Sequence, residues 1–420
     1  MENRISICII AKNEERFIGE CIESVLPIAY EVIILDTGST DKTKEIAASY
    51  GEKIKLFDYI WEDDFSKARN KCISYATGNW IVRLDADERF TKTTKENLIT
   101  FLNNNDFTNR PVVFHFKIVE YDSSGTFAGG FFTNIMFRNG FGIHFVRPIH
   151  EYLYCEKYKL EHVNCPFLAI LHVGESDRSQ EELIEKKKGY INKLTALINS
   201  DINNPENYHY YRHLGDEYYE IRDYNKALEA YENSYALINE SVQNKKNSVN
   251  QSILSRIEKV LLFHVKDFVK AKIFIQKHLI LSPDSPEVLF HLGYCKNRLG
   301  QIEEGLNIHK KLLESLKEDN FNQPLISNIC IEIGRFGKDI NYLERAEQIF
   351  PKSIAIKRHI LKYYYLKNNQ DKIFEYYKLL NENEIGTDTK NIEQKVIEEL
   401  LKENSWEQWE NNELNIKAKN

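Results

Sequence analysis

The stretch IVRLDADERF (residues 81–90) begins as an apolar run and ends in Asp85, Asp87 and Glu88. Carboxylates in Asp-x-Asp spacing on an extended segment point the same way, because side chains alternate with period two. Together they make an oxygen-only site suited to Mg2+ or Mn2+, a hard cation that keeps its remaining positions for water and phosphate oxygens. The spacing alone says little, since Asp-x-Asp is common in solvated turns. Its weight comes from its place at a strand end, where a cation and a diphosphate would neutralise acids that an apolar strand otherwise has no use for.

The elements that must hold these residues read as alternating strands and helices. ISICII (5–10), EVIILD (31–36), KIKLFD (53–58) and WIVRLD (80–85) are strand-like, and the intervening EERFIGECIESVL, STDKTKEIAASY and FSKARNKCISYA carry apolar residues at helical spacing. That order predicts an α/β fold with a parallel sheet, and Ser39 or Thr40 is expected to cap the second helix. PVVFHFKIVEY and FFTNIMFRNG are expected as antiparallel strands added to one sheet edge. Ligands of open parallel sheets bind outside the carboxyl ends of the strands. The four strands end in Asn13 with Glu14, in Asp36, in Asp58 and in Asp85 with Asp87, so polar groups from distant parts of the chain meet along one edge. No GxGxxG follows the first strand and no Walker loop occurs, so a Rossmann dinucleotide site and a P-loop are both unsupported.

Bulk properties narrow the class. The chain has 420 residues, too many for one compact core, with 42% hydrophobic and 28% charged residues. A formal net charge of −7 gives no general attraction to nucleic acid or anionic membrane. No apolar run approaches the roughly 18 residues of a membrane span, and the opening residues do not read as a signal peptide, so a cytoplasmic location is expected. Seven cysteines with no CxxC pair suit reduced core thiols.

From about residue 205 the strand signal gives way to a repeat. Tyr211, Leu214, Gly215, Tyr218, Ala227 and Tyr231 stand in the spacing of a tetratricopeptide repeat, whose period is about 34 residues. Ala271, His278 and Pro283 fit a repeat starting at 252, Leu292, Gly293 and Gly305 one at 286, Ala346 and Pro351 one at 320, and Tyr364 and Tyr377 one at 354. Small residues let paired helices approach, and aromatics fill between neighbouring pairs. The expected domains are 1–200, 201–395 for the repeats, and a helical, then polar, tail at 396–420.

With these motifs in place, the first half resembles a family 2 glycosyltransferase of the GT-A fold. The matching segments are ISICIIAKNEERFIGECIESV, EVIILDTGSTDKTKEIA, DDFSKARNKCISYATGNWIVRLDADE, GIHFVRPIHEYL and LHVGE, in the family's order over residues 1–190. The fusion to tetratricopeptide-like repeats is similar to the sublancin-type enzymes that glycosylate bacteriocin peptides on cysteine. The resemblance implies that Ala11, Asn13, Glu14 and Asp36 line the nucleotide, with Arg69 near the base. It implies Asp85 facing ribose and metal, Asp87 binding the metal directly, and His172 of LHVG completing the metal site. One departure is Lys12, where many relatives place an aromatic ring.

Transfer also needs a base beside the acceptor. In RPIHEYL, Glu151 and His150 follow a strand-like run, and Glu151 is the preferred of the two. Lys186, Lys187 and Lys188 either clamp a diphosphate or form a solvated face, Arg138 is a candidate for shaping the acceptor site, and His115 reads as structural. The leading expectation is a metal-dependent, inverting transfer from a nucleotide-diphosphate sugar, a UDP-sugar such as UDP-glucose, to a cysteine or serine of a peptide. The repeats would then position the peptide or pair two protomers. Transfer to a lipopolysaccharide or cell-envelope glycan is the alternative, and a non-catalytic repeat scaffold is a third reading.

Overall fold

The structure, a computed structural model, describes residues 3–121, 127–173, 179–241, 247–319 and 322–380. The expected tail at 396–420, the repeat residues 381–395 and the last two residues of LHVGE lie outside the described residues. The chain divides into two compact units, Met1–Leu194 and Thr195–Asn420.

Four parallel strands form one side of the first unit's sheet: β1 (Ile5–Ala11), β2 (Glu31–Asp36), β3 (Ile54–Asp58) and β4 (Trp80–Asp85), in the order β3-β2-β1-β4. β1 and β2 are almost wholly buried, as strands covered on both faces must be, which explains their near-continuous Ile and Val content. Beyond β4 the same sheet continues through β7 (Phe127–Arg138), β6 (Val112–Tyr121), β10 (Glu161–His172) and the short β5 (Glu88–Phe90). β7 is antiparallel to both β4 and β6, as expected. The pairing of β10 with β6 and of β5 with β10 is not readable from local pattern, because neither strand neighbours its partner in sequence. β8 (His144–Val146) and β9 (Tyr152–Tyr154) form a separate antiparallel pair.

Helices α1 (Ile18–Val25), α2 (Thr43–Ala48), α3 (Phe65–Ile73) and α4 (Lys92–Asn103) connect the strands, and α5 (Gln180–Ser200) follows β10. α2 starts later than expected, and neither Ser39 nor Thr40 caps it. Both instead bind the loop after β1: Asn13 N donates to Ser39 Oγ at 2.9 Å, and Thr40 N donates to Asn13 Oδ1 at 2.8 Å. All seven cysteines are free and buried, in line with core thiols.

The second unit is built of helix pairs: α6 (Tyr208–Glu220) with α7 (Tyr224–Ser241), α8 (Asn247–Lys259) with α9 (Phe268–Leu281), α10 (Pro286–Arg298) with α11 (Ile302–Ser315), α12 (Gln323–Gly337) with α13 (Ile340–Ile349), and α14 (Ile354–Leu366) with α15 (Gln370–Leu380). α10 and α14 begin at the expected repeat starts, whereas α8 begins early and runs on into a π-helical turn, Val260–Val265, ended by Lys266 in the left-handed region. Gly215 shows why the repeat needs a small residue. A Cβ there would stand 2.4 Å from the Tyr231 ring, so only glycine lets that aromatic fill the gap between the helices. No helix among the described residues is long and apolar enough to cross a membrane.

Candidate active site

The parallel register gathers the strand ends into one row. Asp36 pairs with Ala11 on one side and Asp58 on the other, and Asp85 pairs with Ile10. Asp58 is turned to solvent against Lys44 at 2.9 Å and is the least enclosed of the four.

Asp36 is buried at the end of β2. Its Oδ1 accepts from Gly38 N at 3.0 Å and Ser39 N at 2.9 Å, in a turn that Gly38 permits with φ of 105°. Its Oδ2 is also buried, and among the described residues it has no hydrogen-bond partner. A carboxylate oxygen left so is costly unless a ligand supplies a donor. Ala11 lies beside it, its carbonyl accepting from Thr37 N at 2.9 Å. Asn13, with φ of 55°, and Glu14, whose N donates to Thr43 Oγ1 at 2.8 Å, clasp the loop that precedes α2.

The DADE segment differs from its expected geometry. β4 ends at Asp85, and Asp87 sits in a turn before β5, so the two carboxylates are not aligned by a strand pleat. Asp85 takes Arg69 Nη2 at 2.8 Å on Oδ1 and Arg83 Nη1 at 3.2 Å on Oδ2. Burial opposes its charge, but the two guanidinium groups prevail and hold the carboxyl well below the usual range. Asp87 is reached from another direction. The pairing of β5 with β10 sets His172 opposite Glu88, Val173 N donates to the Asp87 carbonyl at 3.1 Å, and His172 Nε2 comes to 3.5 Å from Asp87 Oδ2. No lysine or arginine pairs with Asp87 among the described residues, which distinguishes it from Asp85.

Beneath both acids lies Glu88, whose Oε2 accepts from Asp85 N at 2.9 Å. Burial pushes its carboxyl up to about 7 in spite of Arg83 nearby. Arg83 and Glu88 are parts of the site that the sequence reading did not assign; Arg83 stands two residues before Asp85 on one strand face, which is the signal that was available.

Glu151 enters from the β8–β9 connection. α3 grips that segment: Asn70 Nδ2 donates to Phe145 O at 2.7 Å, Phe145 N donates to Asn70 Oδ1 at 2.8 Å, and Phe65 N donates to Pro148 O at 2.9 Å. Left-handed turns at Arg147 and His150 then bring Glu151 onto Arg69 Nε. Burial raises the Glu151 carboxyl, Arg69 outweighs it, and the net displacement is downward. Arg69 is thus a buried bridge between Asp85 and Glu151. The His150 ring stands 6.4 Å from that of Tyr190 on α5.

Other candidates lie apart. Lys188 is exposed, 3.8 Å from Glu185, with no bond to this cluster among the described residues. Arg138 stands at the opposite end of β4, in register with Trp80, so the structure removes it from the acceptor region. His115 lies apart from this cluster, its Nε2 2.8 Å from His162 Nδ1. Among the described residues no group of three or more His, Cys, Asp or Glu is placed to hold a metal, so Asp87 with His172 offers two protein positions. One hard oxygen and one imidazole nitrogen fit Mg2+ or Mn2+ whose other positions are taken by water and phosphate.

This open-sheet edge, with its row of carboxylates and its Asp–His pair, has the layout of a GT-A nucleotide-sugar transferase. Residues 6–173 match the family described as Glycosyl transferase family 2. Most of the first unit thus matches a family 2 glycosyltransferase domain, and it is followed by helix pairs of tetratricopeptide-like spacing. It is 26% identical over 386 residues to the SPbeta prophage-derived glycosyltransferase SunS of Bacillus subtilis, an alignment covering 85% of this chain and 86% of that protein. It is also 36% identical over 148 residues to a TPR repeat-containing protein of Synechococcus elongatus, covering 35% of this chain and only 35% of that relative's length. A solved tetratricopeptide repeat protein from Parabacteroides merdae aligns with 52% of this chain and 88% of its own at 18% identity, with a TM-score of 0.38.

Proposed function

We propose that the chain transfers a sugar from a UDP-sugar, such as UDP-glucose, to a cysteine thiol of a peptide. The observation that carries the donor reading is the buried, unpartnered Oδ2 of Asp36 at the sheet edge. Uracil presents an N3–H donor to such an oxygen, so a uridine nucleotide suits it. The nucleotide then lies along Ala11 and the loop held by Asn13 and Glu14, with its diphosphate toward Asp85 and Asp87. Mg2+ or Mn2+ held by Asp87 and His172 supplies charge stabilisation for the departing diphosphate. Arg69 and Arg83 keep Asp85 ionised and fixed. In one displacement the anomeric carbon to phosphate-oxygen bond breaks, a sulfur–carbon bond forms on the opposite face, and the thiol proton passes to Glu151, with His150 as the alternative base.

The downward-shifted carboxyl of Glu151 favours a thiol. A weak base meets a cysteine of pKa about 8.5 more readily than a serine hydroxyl. Similarity to SunS across both units, and not over the transferase domain alone, supports assigning the repeats to acceptor positioning or to pairing two protomers. Mass spectrometry of a cysteine peptide and its serine counterpart, incubated with the full chain, UDP-glucose and Mn2+, tests the reading. Gain of one hexose on the cysteine peptide is expected; transfer only to a lipid-linked or envelope glycan would replace the peptide reading.

A further inference from the structure

The end of β4 away from Asp85 carries a second polar pocket. Trp80 opens this strand, about 17 Å from Asp85 at roughly 3.3 Å per residue, and pairs in register with Arg138 of β7. Arg138 is only 9% exposed, and its guanidinium lies over the Trp80 ring at 4.9 Å from the centroid. Among the described residues it makes no hydrogen bond and no ion pair. A guanidinium keeps its charge and its five N–H donors, and here they face the cavity and not an acceptor of the described residues.

Arg138 lines a cavity of about 400 Å3 together with Asn103, Asn104, Asp106, Phe107 and Thr108. The acceptors around it are largely used within the protein. Asn3 Oδ1 takes Trp80 Nε1 at 2.9 Å, Asn103 Oδ1 takes Asn3 Nδ2 at 2.8 Å, and Asp106 Oδ1 takes Thr108 N at 2.9 Å. The guanidinium and the Asn103 amide hydrogens remain as donors on this wall, beside the side chains of Asn104, Asn105 and Thr108, which can donate or accept. Asp106, fully exposed, is the single acid beside them.

We propose that this pocket binds an anionic small molecule through a phosphate or carboxylate group held by Arg138, apart from the sheet-edge site. A planar guanidinium stacked on an aromatic presents its N–H edge as a fork matched to such oxyanions. The cavity is larger than one oxyanion, so the remainder of the ligand lies against Asn103, Asn104 and Thr108.

Calorimetric titration of the full chain with inorganic phosphate and, separately, acetate at constant ionic strength tests this, in wild type, Arg138→Gln and Asp106→Asn. Wild type should bind one of the two, phosphate if the natural ligand is a phosphoryl compound and acetate if it is a carboxylate. Arg138→Gln should weaken that binding at least about tenfold, the loss of a bidentate charged contact. Asp106→Asn, a substitution of an exposed residue that leaves folding intact, should tighten it by removing a like charge. Binding unchanged in Arg138→Gln would place the anion elsewhere, at the diphosphate site first of all, and would overturn the proposal. So would weaker binding in Asp106→Asn, or the absence of binding in wild type. If Arg138→Gln fails to fold, Asp106→Asn decides alone, with unchanged affinity counting against the pocket.

Discussion

Glu258 and Glu332 of the repeats and Asp36 and Asp87 of the strand edge are acids with different surroundings. In the repeats, Glu258 gives one oxygen to His278 Nδ1 at 2.8 Å and the other to His291 Nδ1 at 2.7 Å. Glu332 takes both Arg298 Nη groups and Asn297 Nδ2, and those neighbours bring its carboxyl down to about 2 against the opposing effect of burial. Each of these carboxylates is consumed by its own fold. At the strand edge of the first unit, among the described residues, Asp36 keeps a buried oxygen without a hydrogen-bond partner, and Asp87 has His172 and no lysine or arginine at its carboxylate. Burial of a charge therefore does not by itself mark a site.

The sharpest way to break this contrast is to remove one acid of each kind. Asp87→Ala should cut transfer by about 10²–10³-fold or more, the loss typical of a group that stabilises charge in the transition state, with the melting temperature nearly unchanged. Glu332→Ala should do the reverse. It removes the carboxylate from Arg298 in the repeat core and should cost about 3–5 kcal/mol of stability, read by urea unfolding, while folded molecules still bind donor. If Asp87→Ala unfolds the first unit, the distinction between open and closed acids fails.

Glu151→Gln sharpens the contrast within the site. Loss of a general base costs about 10²–10⁴-fold in rate, and with a thiol acceptor part of that should return as pH rises through roughly 8–9, where the thiolate forms unaided. A pH–rate profile on cysteine and serine peptides measures it. A mutant as fast as wild type at pH 7 would move the role to His150 or to no residue.

A smaller effect is expected at Glu31. Burial raises this carboxyl, but Lys55, Ser6 and Thr77 together bring it down to about 2. A folded pKa below the unfolded one means that its stabilisation is present above about pH 4.3 and is lost as pH falls toward 2. Glu31→Gln should lower the melting temperature by a few degrees at neutral pH and flatten the acid limb of its pH dependence; an unaltered acid limb would show that the ion pair contributes nothing.

Local pattern carried most of the fold. EVIILD and WIVRLD are strands at the residues expected, because β-branched runs bounded by turn residues leave little ambiguity. The same logic failed at Ser39 and Thr40, where good capping residues are taken up by Asn13 across the strand edge, a tertiary contact that outranks a local one. For the candidate site, the position of Asp36 and the DADE segment was legible as acids at strand ends. The bridging role of Arg69 was not, since it depends on α3 gripping a segment 75 residues away. Nor was the approach of His172 to Asp87, which the β5–β10 pairing creates.

The central claim is that Asp36 and Asp87 are left open for a nucleotide and its metal. Isothermal titration of UDP into wild type, Asp36→Asn and Asp87→Ala, each with Mn2+ and with EDTA, tests it most directly. The account predicts tight binding to wild type that weakens in EDTA, weak and metal-insensitive binding to Asp87→Ala, and reduced but still metal-sensitive binding to Asp36→Asn. Equal affinity of all three proteins, with or without Mn2+, would contradict it.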